Sequence, residues 1–125
     1  MLAIELYKKG RLIMSLTNSK KMAKIAVDAI LDKKGEDVRV IDISGVSVIA
    51  DYFVIASGTS STHVKSLADN IEEELKKEKI YPNKIEGYDS GIWILMDYGE
   101  VIVHIFTQQE RENYSLEDLW DKVKE

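Results

Sequence analysis

The most suggestive chemistry in the chain lies in a glycine-hydroxyl run, Gly58-Thr59-Ser60-Ser61-Thr62, placed between an apolar stretch and a helical pattern. A turn of this kind feeding a helix N-terminus offers free N–H groups and a positive dipole end, which suits a phosphate. The same hydroxyls are ordinary helix caps, and neither of the two glycine-rich nucleotide fingerprints is present. Nucleotidyl transfer would need two carboxylates, usually on alternate residues of one strand, sharing metal ions. Asp97 and Glu100 stand three apart across a predicted turn, and Asp42 stands alone between Ile41 and Ile43. His63 and His104 are the only histidines and there is no cysteine, so neither a zinc set nor a cysteine nucleophile is indicated. No G-x-S-x-G elbow occurs. The expectation is a protein with no catalytic residues, no metal and no cofactor. The competing reading is a nucleotide-binding or nucleotidyl-transfer enzyme using Gly58–Thr62.

The elements that must position these residues follow from periodicity. Asn18 or Ser19 is expected to cap a helix running to about Lys34, with Met22, Ile25, Ala26, Ala29 and Ile30 as one buried stripe. Gly35 stands where a left-handed cap is wanted. Val38–Ile43 and Asp51–Gly58 read as strands, joined too closely for a helical crossover and so antiparallel. A second helix, from the Thr59–Thr62 turn to about Lys79, carries Val64, Leu67, Ala68, Ile71 and Leu75 on one face. Pro82 falls in the following loop. Gly91–Asp97 and Val101–Phe106 flank Tyr98-Gly99-Glu100 as a tight hairpin, apolar on both faces and therefore covered on both. A last helix is expected at Ser115–Lys122, with Leu116, Leu119 and Trp120. The fold class is α/β in the α+β sense: one domain with a mixed sheet, in the order α-β-β-α-β-β-α.

At 125 residues, with 45% apolar and 31% charged content, the chain suits a single soluble domain. Residues 14–125 form that domain, and residues 1–13 read as a loosely held extension without signal-peptide character. No apolar run is long enough to span a membrane. The net charge of −5 argues against DNA binding and other phosphate-neutralising recognition. Ten acids against three bases in residues 86–125 favour, if anything charged, a basic protein as partner. Absence of cysteine agrees with a cytoplasmic location.

Three ordered blocks, ADYFVIASGTSSTHVKSLADNIEEEL (50–75), GIWILMDYGEVIVHIF (91–106) and RENYSLEDLW (111–120), resemble the ribosomal silencing factor family, also called RsfS or Iojap-like. The resemblance covers residues 18–122. It implies a nucleotidyltransferase-like fold without the catalytic carboxylates, and a protein that is not an enzyme. It also implies binding to the large ribosomal subunit through ribosomal protein L-fourteen, steric blockage of subunit joining and repressed translation. A homodimer when free is implied as well. A role in large-subunit assembly is the alternative that uses the same contact. Carried onto this chain, the partner-binding surface is Trp93, Leu95, Asp97 and Tyr98, with His63 and Lys65 as additions. Trp93 would anchor by buried area, and Asp97 would pair with a basic side chain.

Overall fold

The computed structural model describes residues 14–45 and 50–114. Its elements are helix α1 (Met14–Asp32), strands β1 (Glu36–Asp42) and β2 (Tyr52–Gly58), helix α2 (Ser61–Lys77), strands β3 (Lys84–Glu86), β4 (Trp93–Asp97) and β5 (Val101–Thr107), and helix α3 (Gln108–Tyr114). They build one sheet in the order β1-β2-β5-β4-β3, parallel only between β2 and β5. The expected mixed sheet and α+β class are therefore present, with β3 and α3 as elements not foreseen. The extension 1–13 and the helix expected at Ser115–Lys122 lie outside the described residues.

The two long helices sit on one face. The α1 stripe of Met22, Ala26, Ala29 and Ile30 and the α2 stripe of Val64, Leu67, Ala68, Ile71 and Leu75 are all buried, with Ile25 packed at their margin. They close on Tyr52, Val54 and Ala56 of β2, Val101, Val103 and Ile105 of β5, and Ile94 and Met96 of β4. Each fully buried aliphatic side chain of this set contributes about 1.5–3 kcal/mol by its removal from water. Buried Asn70 of α2 donates to the carbonyl of Ala29 at 2.9 Å, tying the helices together through a polar group that burial alone would penalise.

Helix ends differ from expectation in detail. The first helix begins at Met14, so Ser19 lies within it, fully buried, rather than capping it. At its other end Lys34, at φ 63°, takes the left-handed position expected for Gly35. The Gly35 N–H bonds the Ile30 carbonyl at 2.8 Å and the Lys34 N–H bonds that of Leu31 at 3.0 Å, the paired bonds of a Schellman cap. Glycine is needed one residue later, because a Cβ on Gly35 would stand 2.2 Å from Ile30 Cγ2. Helix α2 ends the same way, with Lys79 at φ 62° and the Ile80 N–H bonding the Leu75 carbonyl at 3.0 Å.

The second face carries its own cluster: Ile41, Ile43, Ala50, Phe53, Ile55 and Phe106, with Trp93 and Ile102 at its edge. Both faces of the hairpin are thus apolar for different reasons. One meets the long helices, and the other presents Trp93, Leu95 and Asp97.

Candidate docking site

Alternation along β4 puts Trp93, Leu95 and Asp97 on the second face, all half-buried, while Ile94 and Met96 point to the helices. Cross-strand register sets Trp93 opposite Phe106, Leu95 opposite His104 and Asp97 opposite Ile102. The Trp93 ring stacks on Phe106 at 5.0 Å between centroids, and its Nε1–H donates to His104 Nδ1 at 3.1 Å. His104 in turn meets Phe53 edge-on at 4.9 Å. Such ring pairs add about 0.5–1.5 kcal/mol beyond area burial. Trp93 is therefore held in one orientation by a stiff aromatic base, which lowers the entropy lost if a partner covers it.

The approach to Trp93 is fixed by the turn after β3. Gly87 lies at φ +79°, and a Cβ there would stand 2.1 Å from the Trp93 carbonyl oxygen. No other residue fits that contact without moving the start of β4. Beyond it, β3 forms the sheet's edge, with Lys84 paired to Asp97 and Glu86 to Leu95 in register. Asp97 has a local duty as well: its Oδ1 accepts from the Gly99 N–H at 2.8 Å and so shapes the hairpin turn.

The remaining candidate residues stand on other elements: Tyr98 in the hairpin turn, His63 and Lys65 on α2, where the Lys65 side chain passes close to Gly91. Tyr98 is buried in the cluster beneath α1 and α2, 7% exposed, and its hydroxyl finds no hydrogen-bond partner among the described residues. Burial first, and then the charge of Glu72, push that hydroxyl's pKa upward. His63 sits in the first turn of α2. There the Thr59 N–H donates to its Nδ1 at 2.9 Å, so Nε2 carries the proton and donates to the Lys33 carbonyl at 2.8 Å. It joins the end of α1 to the start of α2. Lys65 holds its ammonium 5.7 Å from the Tyr88 ring, whose hydroxyl donates to Asp69 at 2.9 Å.

The Gly58–Thr62 turn is occupied by capping. Ser60 is the N-cap, its Oγ accepting from the His63 N–H at 3.1 Å, while the His63 ring takes up the N–H of Thr59. Asp42 turns its Oδ1 to the N–H and hydroxyl of Ser44. Among the described residues no three His, Asp or Glu side chains gather as a metal site, and no helix is long and apolar enough to cross a membrane. Sequence reasoning missed the base under Trp93. The signal was present in the alternation of Ile102, His104 and Phe106 along β5.

The family model described as "Ribosomal silencing factor during starvation" matches residues 16–125. The chain belongs to this family. It is 42% identical over 103 residues to the "Ribosomal silencing factor RsfS" of Bacillus subtilis, covering 82% of this chain and 87% of that one. A crystal structure from Chromobacterium violaceum superposes with a TM-score of 0.80 at 33% identity, over 82% of this chain and 85% of that one. The mouse protein named "Mitochondrial assembly of ribosomal large subunit protein 1" is 33% identical over 97 residues, 75% of this chain and 42% of that longer protein. These silencing-factor relatives carry the names of silencing factors and not of enzymes.

Proposed function

We propose that the protein binds the large ribosomal subunit through ribosomal protein L-fourteen and hinders subunit joining by occupying that face, without turnover or cofactor. The observation that carries this reading is the strip Trp93, Leu95 and Asp97, an aromatic anchor, an aliphatic neighbour and a carboxylate on a face that the long helices leave aside. Family membership supplies the ribosomal context. Asp97 keeps a second carboxylate oxygen beyond the one given to Gly99, and it suits a basic side chain of the partner. We further propose that the free protein works in the cytoplasm and self-associates as a homodimer. His63 and Lys65 belong at most to the rim, His63 because both ring nitrogens are already engaged within the chain.

The test is to mix purified protein with separated subunits and follow joining on a density gradient. Co-migration with the large subunit and fewer joined ribosomes is expected. Trp93→Ala should lower binding by about 2 kcal/mol or more, roughly thirtyfold. It also removes the stack on Phe106 and the bond to His104, so binding is measured well below the variant's own melting temperature. Binding to neither subunit refutes the reading.

A second reading, a large-subunit assembly factor, is favoured by the name of the mouse relative. It predicts binding with unchanged joining. The nucleotide-enzyme alternative predicts that ATP or GTP with magnesium raises the melting temperature; the occupied cap at Ser60 speaks for no shift.

A further inference from the structure

His104 is an odd occupant of its position. Its chain neighbours on β5 are Val103 and Ile105, and it stands between Leu95 of β4 and Ile55 of β2 in the two pairings. Phe53 meets its ring edge-on, and Phe106 lies almost parallel to it at 6.1 Å between centroids. The residue is 5% exposed, and its Nε2 has no hydrogen-bond partner among the described residues. A buried polar atom left unbonded destabilises a fold, and a leucine or phenylalanine here would carry no such penalty. Packing alone therefore does not call for histidine.

What histidine adds is an acceptor. Its Nδ1 takes the Trp93 Nε1–H at 3.1 Å, and that bond confines the imidazole's own proton to Nε2, where it stays unbonded. The two rings occupy diagonal positions on one face, since Trp93 is paired with Phe106 and His104 with Leu95. The stack on Phe106, at 5.0 Å and 29° between planes, sets the plane of the indole. It does not set which way round the indole lies. A half-turn about χ2 keeps the ring in that plane and exchanges its N–H edge for its benzo edge. Only one of these two arrangements brings Nε1 to His104.

We propose that His104 is a positioning residue for docking: its Nδ1 selects one of the two ring orientations of Trp93 and thereby decides which edge of the indole a partner meets. The inference rests on the docking reading given above. A side chain already held in its bound orientation loses less freedom when it is covered, and the unbonded Nε2 is stability given up for that hold.

Leucine and asparagine at position 104 separate this role from packing. The two side chains branch alike and both remove the ring, but only asparagine carries an acceptor, Oδ1, at the place of Nδ1. Leucine suits the apolar surroundings better, so urea unfolding should find His104→Leu the more stable of the two. Binding to purified large subunits, read where both variants are fully folded, should run the other way. His104→Asn is expected within about threefold of the native chain and His104→Leu about tenfold weaker than it, the size of effect that freeing one interfacial side chain produces. A binding order that follows stability, or equal binding by the two variants, overturns the proposal. The indole N–H resonance of Trp93, assigned by its absence in Trp93→Phe, reports the bond without ribosomes. It should lie downfield in the native chain and in His104→Asn, and move upfield in His104→Leu. An unmoved resonance in His104→Leu overturns the proposal as well. If the native chain binds neither subunit, the docking reading fails, and the resonance still decides whether His104 holds Trp93.

Discussion

His104 accepts the Trp93 indole proton on Nδ1, so its own proton is on Nε2, buried and without a partner among the described residues. Charging this ring would set two N–H groups against each other in an apolar cluster. Burial accordingly depresses its pKa to about 4, against about 6.5 for an unperturbed histidine. Above pH 6.5 neither state binds the proton and the group leaves stability unchanged. As pH falls from 6.5 towards 4, the unfolded chain gains a proton that the native one refuses, and stability drops by about 3 kcal/mol. Urea unfolding at pH 7 and at acid pH should show this component, and His104→Gln should remove it while still accepting from Trp93. An identical acid-side profile in the variant would contradict the assignment. Tyr98 offers the complementary case of a buried hydroxyl with no bond to any of the described residues. Tyr98→Phe should raise stability by about 1 kcal/mol in the same assay and leave subunit binding intact.

The element scale separates legible from illegible parts of the chain. Both long helices announce themselves because their apolar residues recur at helical spacing, and the stripes are the ones the structure buries. Strand β3 is three residues, Lys-Ile-Glu, between Pro82 and Gly87, too short and too polar to show alternation. Helix α3, QQERENY, has no apolar stripe at all. The left-handed cap was misplaced by one residue because glycine serves two needs, positive φ and close approach, and sequence does not distinguish them. At Gly35 the need is approach to Ile30, and Lys34 takes the strained conformation. Lys34→Gly and Lys79→Gly should therefore each stabilise the fold by about 0.5–1 kcal/mol, measured by thermal unfolding, because they relieve left-handed strain without altering the cap bonds.

For the molecule as a whole, the candidate strip was visible as a tryptophan on a doubly apolar hairpin, but which face it served was not. That depends on where α1 and α2 pack, a choice made by tertiary contacts spread over the whole chain. The same global arrangement withdraws Tyr98 from the strip and places it beneath the helices. Charge also acts at this scale. An acidic protein meeting a basic partner gains chiefly in association rate. Shortening the Debye length from about 30 to about 8 Å with salt should slow association with the large subunit several-fold and leave dissociation nearly constant, as stopped-flow or surface-binding traces would reveal. Equal slowing of both phases would remove long-range attraction from the account.

The place of β5 in the sheet has a consequence for how the chain is made. This strand, residues 101–107, lies between β2 and β4 and supplies the single parallel pairing. Among the described strands it is the last to be synthesised, and the four before it must wait for its arrival. A nascent chain halted short of Val101 holds β2, a strand of buried residues, with one edge unpaired. Such edges recruit other strands. Pairing of β2 with β5 joins positions nearly fifty residues apart, which makes it a slow step. Truncation before residue 107 is thus expected to yield aggregation rather than a smaller folded protein, and the arrival of β5 becomes the event that closes the sheet.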